Sequence, residues 1–168
     1  MRHTTLIPVL LLAGCARLGP GGSSGTTVTT QSSAATAATV AAAPASFVRS
    51  TSEALVTRII DVRDGLPHAQ AMRILMDALG ERYTVEVSDP RAGFAMTSWQ
   101  ASLLHDGVPD LRYRTRITTR FLGDDWKRLQ IRDEANWARG EEWDVGYDAA
   151  QLDSVTNDLK AKLGPKKP

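Results

Sequence analysis

Beyond residue 47, apolar and polar positions alternate or recur at helical spacing, and the switches between the two mark out elements. Residues 54–62 (ALVTRIIDV) are rich in β-branched side chains and predict a first strand. Asp64 and Gly65 turn the chain. Residues 67–79 predict a helix, with Pro67 suited to its first position and Gly80 placed for its C-terminal cap. Ala69, Met72, Leu75, Met76 and Leu79 form its apolar face. Residues 82–88 alternate strictly: Tyr83, Val85 and Val87 point one way, Arg82, Thr84, Glu86 and Ser88 the other. Asp89 to Gly93 make a turn, and residues 94–99 return as the next strand. Residues 101–110, with Gly107 and Pro109, read as a loop or short helix.

Residues 111–122 predict a long strand and residues 126–135 another. Tyr113, Ile117 and Phe121 are the apolar positions of the first, Leu129 and Ile131 of the second. A three-residue loop of Gly123, Asp124 and Asp125 sets Ile117 opposite Ile131 and Thr119 opposite Leu129. A two-residue loop would set Ile117 opposite Gln130 and turn one apolar set to the wrong face, so the longer loop is expected. Residues 136–147 read as irregular. Asp148-Ala149-Ala150-Gln151 resembles a capping box, and Leu152, Val155, Leu159 and Leu163 make a helical stripe that Gly164 and Pro165 end. The order β-α-β-β-β-β-α predicts an α+β fold: an antiparallel sheet of about five strands with two helices packed on one face.

The first 46 residues carry a different pattern. Arg2 precedes a short apolar run ending MRHTTLIPVLLLAGC, about 10 residues against the roughly 20 a spanning helix needs. Residues 16–46 hold Gly, Ser, Thr and Ala, no acid, no aromatic and one charge, Arg17. Such a stretch cannot bury enough apolar area to offset its ordering entropy and reads as a flexible linker. Its root-mean-square reach is on the order of 30 Å. A helix over residues 33–45 is the alternative, favoured by alanine and opposed by the β-branched Thr and Val. The expected organisation is a signal peptide at 1–14, a linker at 15–46 and one α+β domain at 47–168.

Charge narrows the function classes. The 20 Lys+Arg nearly cancel the 19 Asp+Glu, so the global charge gives no reason to expect nucleic-acid binding. One cysteine excludes an internal disulfide, and His3, His68 and His105 are too scattered for a metal cluster. No phosphate loop or dinucleotide fingerprint is present, and no cofactor is expected. Trp99, Trp126, Trp137 and Trp143 all lie in the second half, which must bury a core or hold an aromatic surface.

Leu12-Ala13-Gly14-Cys15, following that apolar run, resembles the lipobox of bacterial lipoproteins. The alternative is an ordinary secretory signal with a chance cysteine. The resemblance implies cleavage before Cys15, a diacylglyceryl group on its sulfur and usually an amide-linked acyl chain. Two or more chains anchor stably where one binds marginally. It also implies that Ala16, standing where an aspartate would favour inner-membrane retention, directs the protein to the outer membrane. In the head, the order from helix to ALGERYTVEVSDPRAGFAMTSW, then long strands and a final helix, is similar to the C subunit of the β-barrel assembly machine and related helix-grip lipoprotein domains. Gly80, Tyr83, Asp89, Gly93, Thr97 and Trp99 carry that likeness, over residues 54–163. The chain has one such head where that subunit has two.

The expected register puts Arg112, Arg114, Arg116, Arg120, Arg128 and Arg132 on one face, with Trp126 beside them. Arg120 would oppose Arg128 and Arg116 would oppose Arg132, with only Arg114 paired, to Glu134. Like charges directly opposite destabilise a strand pair. An anionic partner would relieve this: an acidic protein surface, a phosphate-bearing glycolipid or a peptidoglycan carboxylate. The alternative is a solvated face balanced by Glu86 and other acids. Glu141, Glu142, Asp144 and Asp148 lie near Trp137 and Trp143 and could serve a paired-carboxylate hydrolase, although a solvated loop with Asp148 as a helix cap explains them. His105 and Asp106, near Ser98 and Ser102, lack a nucleophile elbow and read as loop residues. The expectation is therefore a non-enzymatic outer-membrane lipoprotein. It is held to the membrane through Cys15, and its periplasmic head docks an envelope protein with an acidic surface. A lipid- or glycan-binding module is the second reading and a hydrolase the third.

Overall fold

A computed structural model describes residues 42–51 and 56–166. The signal-like segment, Cys15, the linker as far as residue 41 and the start of the expected first strand lie outside the described residues. No described helix is long and apolar enough to cross a membrane.

The elements are β1 (Phe47–Arg49), β2 (Thr57–Asp61), α1 (His68–Gly80), β3 (Val85–Asp89), β4 (Phe94–Thr97), β5 (Leu104–His105), β6 (Val108–Pro109), β7 (Tyr113–Leu122), β8 (Arg128–Arg139), β9 (Glu142–Asp148) and α2 (Ala149–Leu163). The fold is α+β, an antiparallel sheet with two helices. Its seven strands run β1-β9-β8-β7-β4-β3, with β2 also paired to β8. One edge of β8 is shared: β2 takes residues Arg128 to Arg132 and β9 takes Ala135 to Arg139. β5 and β6 form a separate small hairpin.

The helices form for the reasons the pattern supplies, although Ala69, expected on the apolar face of α1, is exposed and Ala71 and Ala78 are buried there instead. Ala71, Met72, Leu75, Ala78 and Leu79 are the buried face of α1, and Leu152, Val155, Leu159 and Leu163 that of α2. Both faces join Ile117, Phe121, Leu129 and Ile131 from the inner side of the sheet in one core. Burial of each such side chain stabilises by about 1.5–3 kcal/mol. Arg82 binds Asp158 at 2.6 Å and Ser154 at 3.1 Å, fastening the segment after α1 to α2. Pro67 is the N-cap of α1 rather than its first residue, and Gly80 is its last helical residue. Asp148 caps α2 through the Gln151 N–H at 3.0 Å. The reciprocal half of the expected capping box is replaced, because Gln151 Oε1 accepts from Thr115 Oγ1 instead.

The β7–β8 register differs from the expected one by two residues. Ile117 opposes Asp133, Thr119 opposes Ile131, Phe121 opposes Leu129 and Leu122 opposes Arg128. The connection is five residues, 123–127, because Trp126 does not extend the second strand. It takes φ 51° and turns inward. There its ring stacks on Phe121 at 4.6 Å and on His68, the first residue of α1, at 4.2 Å. A shift of two preserves which face each side chain occupies, so the apolar set stays inside. Three further segments differ from expectation. Residues 104–109 form a hairpin around Asp106 and Gly107, both at positive φ. Residues 136–147 are ordered strand: β8 continues to Arg139, turns at Gly140 (φ 69°) and returns as β9. Phe47 to Arg49 add β1 to the outside of β9. Leu111, expected to begin the long strand, lies before it and is exposed.

Gly93 holds the aromatic stack in place. It adopts φ +61°, and a Cβ there would lie 2.7 Å from the Trp126 ring and 3.0 Å from Phe121 Cβ. Gly93→Ala is expected to lower the urea-unfolding free energy by about 2–4 kcal/mol, from backbone strain and overpacking together. Gly65→Ala, at φ +71° but with open space around it, is expected to lose less. Equal losses at the two positions would mean that the stack does not constrain the hairpin.

Candidate functional site

The outer face of the sheet, opposite the helices, is where the expected site falls. Strand alternation presents Arg114, Arg116, Thr118 and Arg120 from β7, and Gln130, Arg132, Glu134 and Asn136 from β8. The observed register separates the like charges. Arg120 opposes Gln130 rather than Arg128, Arg116 opposes Glu134 rather than Arg132, and Arg114 opposes Asn136 rather than Glu134. Arg116 donates from Nε and Nη2 to Glu134 Oε2, at 2.9 and 2.6 Å. Arg132 reaches Glu134 Oε1 at 3.0 Å. One carboxylate thus serves two guanidinium groups, and the electrostatic strain expected from arginine-on-arginine pairs is absent.

Aromatic rings take up the remaining contact. The Arg114 guanidinium lies 4.8 Å from the Trp99 ring and 4.4 Å from the Trp143 ring, between the two. Arg116 also lies over Trp99, at 4.6 Å. Each contact of this kind is worth about 0.5–1 kcal/mol at an exposed site. Together they form a ladder of alternating rings and cations across three strands. Trp143 is 42% exposed and Val145 51%, so the ladder grades into apolar surface on β9. Arg120 lies over Phe94 at 5.6 Å, and neither Arg120 nor Arg128 has a carboxylate within ion-pair distance among the described residues.

Two residues expected on this face are elsewhere. Trp126 is in the core stack. Arg112 precedes β7; it is held by Asp110 at 2.6 Å and lies 5.5 Å from Trp137, which packs with Tyr113 and Phe47 in a small second core. The tryptophans therefore divide: Trp126 and Trp137 are buried, while Trp99 and Trp143 build the surface. Sequence reasoning missed the latter pair, because Trp143 fell in a stretch read as irregular and Trp99 at the end of a strand.

The candidate catalytic groups do not assemble. Glu141 and Glu142 are exposed, Asp144 is bound by Arg49 at 2.7 Å, and Asp148 is the buried helix cap. His105 and Asp106 are 3.7 Å apart on an exposed hairpin tip, and Ser98 Oγ donates to the Thr84 carbonyl at 3.3 Å. Among the described residues no three His, Cys, Asp or Glu side chains are grouped to hold a metal.

One titratable centre went unforeseen. Asp133 is fully buried on the inner side of β8, at the point where β2 leaves its edge and β9 has not yet paired. Its Oδ1 accepts the Asp148 backbone N–H at 2.6 Å, while Oδ2 has no partner among the described residues. The Asp148 carboxylate beside it accepts from Tyr113 Oη at 2.8 Å, Ser46 Oγ at 2.9 Å and the Gln151 N–H. Burial pushes the Asp133 carboxyl up to about 7, with Asp148 and Glu134 adding in the same sense against the backbone hydrogen bond. Burial and the Asp148 acceptor likewise hold the Tyr113 phenol well above its ordinary range. The strict alternation of β8 placed Asp133 inward and was the available signal.

The sign of the linked pH effect follows. The unfolded chain releases this proton near pH 4, whereas the folded chain retains it to about 7. The folded state therefore binds more protons across that window. The contribution of Asp133 is complete below about pH 4 and is lost as pH rises through about 7. Asp110 acts oppositely and lower down. Its hydrogen bonds from Arg112 hold its carboxyl at about 2, so its contribution is lost as pH falls from about 4 toward 2. Urea midpoints of the natural chain are expected to fall between pH 5 and pH 8, and those of Asp133→Asn to fall less. Parallel pH profiles for the two proteins would contradict a protonated Asp133. The chain matches no family model and no curated protein.

Proposed function

We propose that this protein is a lipid-anchored, non-enzymatic interaction module of the bacterial envelope. Cys15 would carry the lipid, the segment before Ser46 would serve as the stalk, and the head would stand on the periplasmic side of the outer membrane. Its order of elements, with α1 and α2 against one face of a long antiparallel sheet, is compatible with a helix-grip-like domain. The single observation that carries the docking role is the outer-face ladder of Trp99, Arg114, Trp143, Arg116 and Arg132 around one shared carboxylate, Glu134.

That surface suits an acidic protein partner on two grounds. It carries more guanidinium than carboxylate, and Arg114 and Arg120 lie against flat rings rather than acids, so they remain available to a second anion. Rigid Trp and Arg side chains with apolar Val145 beside them also match the residue types that concentrate binding energy in protein interfaces. A lipid- or glycan-binding role is the second reading, favoured by the exposed Trp143 ring.

Two outcomes are expected. Radiolabelled palmitate should enter the natural chain, and Cys15→Ser should abolish both labelling and membrane retention; equal retention of the variant would remove the anchor. Photo-crosslinkers placed at Arg116 and Arg128 in cells should capture an envelope protein, and Arg114→Glu or Arg120→Glu should reduce that capture several-fold with the fold intact by circular dichroism. Capture unchanged by charge reversal would remove the docking face.

A further inference from the structure

The ladder ends in a cavity. Two adjacent cross-strand pairs, Thr118 with Arg132 and Arg120 with Gln130, lie on the outer face side by side. With Phe94 from β4 they line a hollow of about 240 Å³. This is below the usual range for drug-sized ligands and fits a small polar group. Every side chain of those two pairs can donate a hydrogen bond, and none of the four is an acid.

Three observations show that the donors are unspent. Thr118 Oγ1 is buried and has no hydrogen-bond partner among the described residues. Arg132 Nε is buried and likewise unpartnered, although its Nη2 reaches Glu134. Among the described residues the Arg120 guanidinium has only the Phe94 ring beneath it, at 5.6 Å. A buried polar atom without a partner is unfavourable, and a cluster of two next to an unneutralised cation points to a ligand that supplies acceptors. Glu134, the nearest acid named on this face, is already engaged by Arg116 and Arg132.

We infer that this hollow is a binding site for a phosphoryl group, formed by Arg120, Arg132, Thr118 and Gln130 with Phe94 as its apolar wall. The inference rests on reading the arginine face as the working surface, and it names a small ligand for one end of that face. A phosphate monoester presents three strong acceptor oxygens and close to two negative charges, matching two guanidinium groups, a hydroxyl and an amide that approach from two strands. A planar carboxylate has two oxygens and one charge, and would leave donors unmet. The group could belong to a lipid headgroup or to a soluble ester; the recognising chemistry is the same.

The test is a titration of the ¹⁵N-labelled full chain with inorganic phosphate, and with acetate at matched ionic strength. Saturable amide shifts confined to residues around 94, 118–120 and 130–132 are expected with phosphate and not with acetate. Arg120→Gln and Thr118→Val should each weaken binding, Arg120→Gln by about tenfold or more, as for loss of a charged hydrogen-bond donor. Arg128→Gln removes a charge from the same face outside the hollow and should bind as the natural chain does. Shifts that fail to saturate, equal shifts with acetate, or an equal loss in Arg128→Gln would overturn the site. Phosphatidylcholine vesicles with and without phosphatidic acid separate the two sources. Displacement of phosphate only by the acidic vesicles supports a lipid-borne group, and retention of phosphate binding in their presence supports a soluble one. Phosphate binding without in-cell crosslinking would keep this site and remove the protein-docking role. Crosslinking without phosphate binding would do the reverse.

Discussion

The inward turn of Trp126 is the constraint on which the rest of the sheet depends. Its ring is held between Phe121 and His68, so the β7–β8 connection must be five residues long. That length fixes the pairing of the two longest strands. The pairing in turn places Glu134 opposite Arg116 and Gln130 opposite Arg120, which removes the arginine-on-arginine contacts that a tighter hairpin would impose. Packing on one side of the sheet thereby sets the electrostatics of the other. Gly93 belongs to the same constraint, since only a residue without a side chain leaves room for the indole.

The two faces of the sheet handle charge in different ways. Outside, guanidinium groups are distributed over rings and one shared carboxylate, an arrangement that tolerates exposure and leaves positive charge uncompensated. Inside, a single carboxyl, Asp133, sits where the sheet forks, and the low dielectric favours its neutral form. Its acceptor oxygen satisfies the Asp148 N–H, a group that sheet hydrogen bonding would otherwise have served had β9 continued along β8. Replacing a ladder bond by a side-chain acceptor lets the chain leave the sheet and enter α2 at that point. Asp148 then binds Ser46 and Tyr113, tying the entrance of the head to the start of its final helix.

Much of this architecture was legible in the residues. The apolar stripes of α1 and α2, the alternation of β7 and the Asp148 cap follow from periodicity and local chemistry alone. The inward and outward sets of β7 and β8 were also correct, because an error of two residues in register does not exchange faces. What could not be read was decided by tertiary packing. Trp126 looks like the first residue of a strand, and only the neighbouring Phe121, His68 and Gly93 show why it is not. Residues 142–148 (EWDVGYD) have too many acids to suggest a strand, yet they pair because β8 is long enough to offer them an edge. Phe47 to Arg49, at the margin of the low-complexity segment, extend the sheet for the same reason. Of the arginine face, five members, Arg114, Arg116, Arg120, Arg128 and Arg132, keep the expected side of the sheet; Arg112 and Trp126 were displaced by contacts that begin outside the strands.

The fork in β8 divides the mechanics of the domain. Among the described residues β2 and β9 pair with separate stretches of the same edge of β8, the buried Asp133 carboxyl lies between those stretches and holds the Asp148 N–H, and α2 packs against both strands. Loosening at either end can therefore proceed without peeling the other. A pull transmitted through Ser46 and β1 would load β9 and the Asp148 knot first, leaving the half of the sheet that carries Arg120 and Arg132 under no direct tension.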